Sequence, residues 1–153
     1  MKKIVVGLGL AMAAASGFST VAVSSGSSVD MKTSGCGLVV TNAEVENYGK
    51  DQAEVKMNIK NNTDNMVTIQ NAISSVDTKT ELHHFVMQDG KHVMKPVGEI
   101  DVPSHKIDKL GFHRTHVMLI GLKNAPLKVG STVDLTLLEK GNCRIPVHAK
   151  VVK

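Results

Sequence analysis

The chain has no tryptophan, one tyrosine and three phenylalanines in 153 residues. Beyond the N-terminal segment the aromatics are Tyr48, Phe85 and Phe112, too few for the stacking platforms that bind single-stranded nucleic acid. Cysteine is nearly as scarce. Cys36 and Cys143 lie far apart and make no CxxC, which argues against a thiol–disulfide enzyme. The pair could be a disulfide, two free thiols or metal ligands. In an exported chain the disulfide is the expected state, and the chain-entropy model values a loop of that size at up to about 4–5 kcal/mol. No stretch shows sustained helical periodicity with caps, so a helical bundle is excluded. A surplus of positive charge is missing too. Of 18 Lys+Arg against 14 Asp+Glu, Lys2 and Lys3 belong to the first segment, which leaves a net charge near +2 (16 against 14) and no basic footprint.

That first segment reads as a secretory signal. Met1-Lys2-Lys3 is a short positive region, and residues 4–15 are apolar or small without a charge. Small residues follow, and the run is too short for a membrane span. An uncleaved anchor is the alternative. We expect a signal peptide over residues 1–22, with the secreted chain starting between Ser16 and Ser28, a flexible lead-in over 23–35, and one domain over 36–153. The length suits a single core. Thr33-Ser34-Gly35 before Cys36 makes a poor lipobox.

What is present beyond residue 36 is strand pattern. Val55, Met57 and Ile59 alternate with Lys56, Asn58 and Lys60, and Leu38 to Val45 is rich in valine. Val133, Leu135 and Leu137 alternate near the end, followed by Ile145, Val147, Ala149 and Val151, as half-buried strands require. Residues 66–69 are strand-like, residues 61–65 form a turn cluster, and residues 139–142 supply a hairpin turn. Turn signals recur at short intervals. The reading is an all-β sandwich or barrel of Greek-key type.

The chemistry sits in four residues at fixed spacing: His83, then Met94 after ten residues, then His116 and Met118 after twenty-one more. Two imidazoles and two thioethers suit a soft monovalent ion, above all Cu(I), and suit Mg²⁺ or Ca²⁺ poorly. With 7 His and 8 Met in the chain, such a set at prescribed offsets arises by chance roughly one time in a thousand. Strand parity lets the set converge. His116 and Met118 lie two apart and share a face, with Val117 directed to the core. His83, Phe85 and Met87 share another face, and Met94 can return beside His83 across the Gln88-Asp89-Gly90 turn.

The His-x10-Met-x21-His-x-Met spacing resembles that of the periplasmic copper chaperones serving the Cu(A) centre of cytochrome oxidase. The flanks extend the resemblance: Glu81-Leu82-His83, Met94-Lys95-Pro96-Val97, Ile100-Asp101-Val102-Pro103, residues 116–123 and residues 126–130. It covers about residues 36–152 and is sharpest between 81 and 139. Phe85 stands where the family usually carries Met. The resemblance implies a Greek-key cupredoxin-like β-sandwich. It also implies a non-enzymatic, periplasmic and monomeric carrier of one Cu(I) per chain, bound by His83, Met94, His116 and Met118. The partner would be a copper-receiving protein of the oxidase assembly pathway.

Further expectations attach to the site. Neutral ligands hold a +1 ion loosely enough for release, and thioethers escape the disulfide oxidation open to thiolates outside the cytoplasm. A shallow, partly exposed site is expected, because ligand exchange needs access. Protons should compete for His83 and His116 as pH falls through about 6, since bound imidazole must be neutral. His84, His92, His105, His113 and His148 read as exposed, with His84 and His92 near the ligands. Met57, Met66 and Met87 read as core or gap fillers. Two competing readings are a zinc hydrolase, prompted by His113/His116 and His83/His84, and a metal-free secreted β-sandwich for adhesion or assembly. The first lacks a nearby carboxylate to complete a set of two histidines and one carboxylate, and Met is a rare zinc ligand.

Overall fold

The computed structural model describes residues 32–111 and 113–153, so the expected signal segment and most of the lead-in lie outside the described residues. Eleven strands form: β1 Thr33–Gly35, β2 Leu38–Tyr48, β3 Gln52–Asn61, β4 Val67–Ser74, β5 Lys79–Gln88, β6 Lys91–Pro96, β7 Ile100–Val102, β8 Ile107–Leu110, β9 His116–Ile120, β10 Thr132–Glu139 and β11 Arg144–Val151. Thr33–Gly35, grouped with the lead-in on composition, instead pairs with Leu38–Val40 as β1. The close approach of Gly37 explains this local order. Its φ is +74° and a Cβ there would fall 2.1 Å from Thr63 Cγ2, so only glycine lets the chain turn back at that point.

The hydrogen-bonded path runs β6-β5-β9-β3-β2-β11-β10-β4-β7, with β1 added on β2 and β8 on β3. All pairings are antiparallel except β11 with β2. β4 and β5 are distant along this path yet pack against each other, so the sheet folds over into two facing layers. Alternation decides which side faces in. Val55, Met57 and Ile59 of β3 and Ile145, Val147, Ala149 and Val151 of β11 are all in the core, each large aliphatic contributing roughly 1.5–3 kcal/mol on burial. Asn61 ties the layers: its Nδ2 donates to the carbonyls of Val102 (2.9 Å) and Asn65 (2.8 Å). Its Oδ1 accepts from Thr63 N (2.8 Å) and Thr63 Oγ1 (2.7 Å), so this buried amide is satisfied.

Cys36 and Cys143 form a disulfide with Cα atoms 6.0 Å apart, as the export reading expects, pinning the start of the domain to the β10–β11 turn. Two methionines depart from expectation. Met57 is buried, but Met66 is 58% and Met87 64% exposed. Met66 closes the 61–65 turn, and Met87 sits at the outer end of β5, where no second layer covers it among the described residues.

Candidate functional site

Three adjacent strands and one edge strand build the site. β9 lies between β5 and β3, and β6 is the outermost strand of the path. The register puts His83 directly opposite His116, and Met118 directly opposite both Glu81 of β5 and Glu54 of β3. Across the β5–β6 hairpin Phe85 faces Met94, and His83 faces Pro96. Directly opposed residues in antiparallel pairs share a face. All four residues of the motif therefore project from one face of the sheet, together with Glu54, Glu81 and Phe85. Asp89-Gly90 makes this possible. With φ of +50° and +72° it adopts the tight turn that asparagine or aspartate followed by glycine favours, and so fixes where Met94 lands.

The two imidazoles are held in complementary ways. His116 is fully buried, and its Nδ1 lies 3.0 Å from the Arg114 carbonyl. A carbonyl only accepts, so Nδ1 carries the proton and Nε2 presents its lone pair. The short 111–115 loop sets that carbonyl in place through Gly111 N–Thr115 O and Arg114 N–Gly111 O bonds of 2.9 Å each. His83 Nε2 lies 2.9 Å from Glu81 Oε2. The Lys79 ammonium, 2.5 Å from Glu81 Oε1, and the His83 ring hold the Glu81 carboxyl below the usual carboxylate range. Glu81 is thus an acceptor, Nε2 donates, and His83 Nδ1 is left with its lone pair. Among the described residues, His83 Nδ1 and His116 Nε2 are buried without a hydrogen-bond partner. The ring centroids are 6.0 Å apart, roughly the separation of two imidazoles sharing one ion at about 2.0 Å through a wide angle. A second group fixing the far nitrogen of each ring is the usual support for a metal-bound histidine.

Burial also favours the neutral form of the His116 ring before loading. Desolvation pushes the His116 pKa below the ordinary imidazole value, against the opposing pull of the Arg114 carbonyl and Glu54. Met118 is 1% exposed and Met94 half-buried on the edge strand. The expected shallow site is therefore corrected in part: His116 and Met118 form a buried floor, His83 is half-buried, and access is left at the Met94 rim. The cause is the central position of β9, covered on both flanks by β3 and β5.

Sequence reasoning missed two carboxylates. Glu81 was within reach of strand parity, being two residues before His83. Glu54 was not, because only the β3–β9 register brings it to Met118; it is buried, and its Oε1 has no partner among the described residues. Glu81 is thus a carboxylate in contact with a histidine. It does not revive a zinc hydrolase, since Glu81 stands behind His83 on the anchored nitrogen. Among the described residues, no group of three or more His, Cys, Asp or Glu could hold a metal ion. The other histidines mostly lie at the surface: His105 on Asp64 (2.7 Å), His148 on Asp134 (2.5 Å), with His92 and His113 exposed. His84 departs from the exposed reading, being half-buried with Nδ1 2.9 Å from Thr115 Oγ1.

A cupredoxin-like β-sandwich with a nitrogen-and-thioether cluster at one end of its sheet is the build of the PCuAC copper chaperone class, whose members are metal-binding proteins and not enzymes. The chain belongs to the lipoprotein LpqE-like family, whose model matches residues 38–151. Among solved structures it is similar to CuI-DR1885 from Deinococcus radiodurans, at 30% identity and a TM-score of 0.61, covering 73% of this chain and 76% of that one. Apo-DR1885 matches at 25% identity and a TM-score of 0.54, over 95% of this chain and 97% of that one. The copper-bound PCuAC domain from PmoF2 shares the fold at 15% identity, with a TM-score of 0.66 over 79% of this chain and 97% of that domain. No curated protein matches the sequence. Both cysteines of this chain are joined in the disulfide, so Cys36 has no thiol to carry a lipid.

Proposed function

We propose that this protein is an extracytoplasmic Cu(I) carrier that binds one ion through His83, Met94, His116 and Met118. We propose further that it delivers the ion to a copper-receiving protein of the cytochrome oxidase assembly pathway. One observation carries the reading. Two buried ring nitrogens on facing strands, each with its other nitrogen anchored, lack a partner among the described residues. A buried acceptor left unpaired costs about 1–3 kcal/mol, and a metal ion would satisfy both. The thioethers on the same face make that ion a soft one. Glu54 adds what a neutral ligand set lacks, a negative charge beside the cation.

The edge position of Met94 supports the carrier role. Its strand has no neighbour on the outer side among the described residues, so an acceptor can approach the one ligand that lies at the rim. Export is supported by the disulfide, which persists in oxidising compartments, and by the family's lipoprotein description. Residues 1–22 fit the same picture as a signal peptide. Cu(I) titration with X-ray absorption tests the site. One equivalent with mixed sulfur and nitrogen scatterers is expected, and its affinity falls at least tenfold in the Met94→Leu/Met118→Leu variant. Leucine keeps volume and removes only the sulfur. Nitrogen and oxygen scatterers alone, or an unchanged affinity, refute the assignment. Delivery is tested by mixing the loaded protein with soluble oxidase-assembly acceptors and following copper by NMR.

A further inference from the structure

We propose that His92 and His113 form a second metal site, distinct from the thioether cluster, which takes one borderline divalent ion, Cu(II) foremost. The two rings come from different elements, β6 and the loop before β9, yet their centroids are 5.0 Å apart with planes at 57°. Two imidazoles bound cis to one ion at about 2.0 Å place their centroids roughly 4.5–5.5 Å apart. The 6.0 Å between His83 and His116 suits a wider angle. The two histidine pairs thus differ in the coordination they favour. Both His92 and His113 are exposed, so an ion from solution reaches them without passing the buried floor.

Phe85 separates the two sets while touching both. Its ring centroid is 5.3 Å from His116 on one hand, and 5.4 Å from His113 and 6.5 Å from His92 on the other. An apolar ring at that boundary supplies no donor of its own. Met87 stands directly opposite His92 in register and is 64% exposed, which puts a thioether beside the pair as a weak third donor. Lys91 and Lys95 alternate to the other face of β6, so their charges do not sit over the rings. The backbone of His113 is left-handed, φ +61°, a conformation that histidine adopts more readily than most residues. Imidazole nitrogens without thiolate favour Cu(II) over the other first-row divalent ions.

The site is independent of the Cu(I) reading, and the test keeps the two apart. Cu(II) is titrated into the purified protein and followed by electron paramagnetic resonance, using wild type, His92→Gln, His113→Asn, the double variant and His83→Gln. Asparagine suits the left-handed position. We expect a two-nitrogen Cu(II) signal in wild type and His83→Gln. Each single variant weakens it at least tenfold, and the double variant loses it. Zn(II) should displace it only at much higher concentration. Cu(I) affinity of the double variant, measured with a competing chelator, stays within twofold of wild type. Cu(II) binding unchanged in the double variant overturns the proposal. An equal fall in Cu(I) affinity also overturns it, by assigning both rings to the thioether cluster.

Discussion

Replacing Glu54 with glutamine should move copper affinity and apo-protein stability in opposite directions. Glu54 is 6% exposed, with Oε1 unpartnered among the described residues, and it stands directly opposite Met118. Side chains so opposed have Cβ atoms about 4.5–5.5 Å apart, so an ion on the Met118 sulfur lies within roughly 6 Å of the carboxylate. At an effective permittivity near 20, two unit charges at about 6 Å attract by about 2.8 kcal/mol. At 1.4 kcal/mol per decade this corresponds to an affinity loss of up to about 100-fold. Rearrangement of the apo site will reduce the figure, and tenfold is the floor we expect. Without metal the same carboxylate is a desolvated charge, and the isosteric amide relieves it. The apo midpoint should hold or rise, by up to about 4 °C if roughly 1 kcal/mol is recovered. Anaerobic Cu(I) competition at pH 7.5 and thermal unfolding by circular dichroism, on one preparation, give both numbers. An affinity within twofold of wild type refutes the counter-charge argument. A fall in both affinity and stability would make Glu54 an ordinary structural residue.

Glu81→Gln, which removes the charged acceptor of the His83 ring, should cost about 10–100-fold in Cu(I) affinity, the usual range for groups that orient a metal ligand, as read by the same competition. Burial lowers the His116 pKa, so its proton competes with copper only below the ordinary imidazole range; near pH 6.5 the log-affinity slope should stay below the value of about one that two ordinary imidazoles would give there, and a slope of one or more would contradict the buried position. The same shift bears on folding. The native state binds fewer protons at His116 than the unfolded chain, so its contribution is intact above about pH 6.5 and declines as pH drops below that value, visible in apo denaturant midpoints from pH 7.5 to 5. Cys36→Ala/Cys143→Ala opens a 107-residue separation and should destabilise the domain by up to about 4.7 kcal/mol, measured by urea unfolding of both proteins.

Local pattern and spacing carried much of this structure in the sequence. Alternation at Val55, Met57 and Ile59 and at residues 145–151 marked β3 and β11, because a half-buried strand writes its burial every second residue. Parity likewise put His116 with Met118 and His83 with Phe85 on shared faces, and Asp89-Gly90 announced the hairpin that returns Met94. The return register was not legible. Phe85 faces Met94, while His83 faces Pro96. Nor could parity within one strand reveal Glu54, which meets Met118 only through a pairing between strands more than sixty residues apart. The misplacement of Met66 and Met87 has the same origin. A methionine records apolarity, but whether a second layer covers it depends on where the sheet ends.

On the proposed copper reading, the disulfide also bears on which sulfur the metal would meet. Cys36 and Cys143 are the only thiols the chain encodes, and as thiolates they would outrank any thioether for Cu(I). Joined together, they are withdrawn from that competition. Before oxidation the nascent polypeptide offers copper a stronger pair of sulfurs at the wrong end of the molecule. Afterwards Met94 and Met118 are the best soft donors it has. On the proposed reading of an exported copper carrier, oxidative folding would thus remove the competing thiolates before the thioether site meets its cargo.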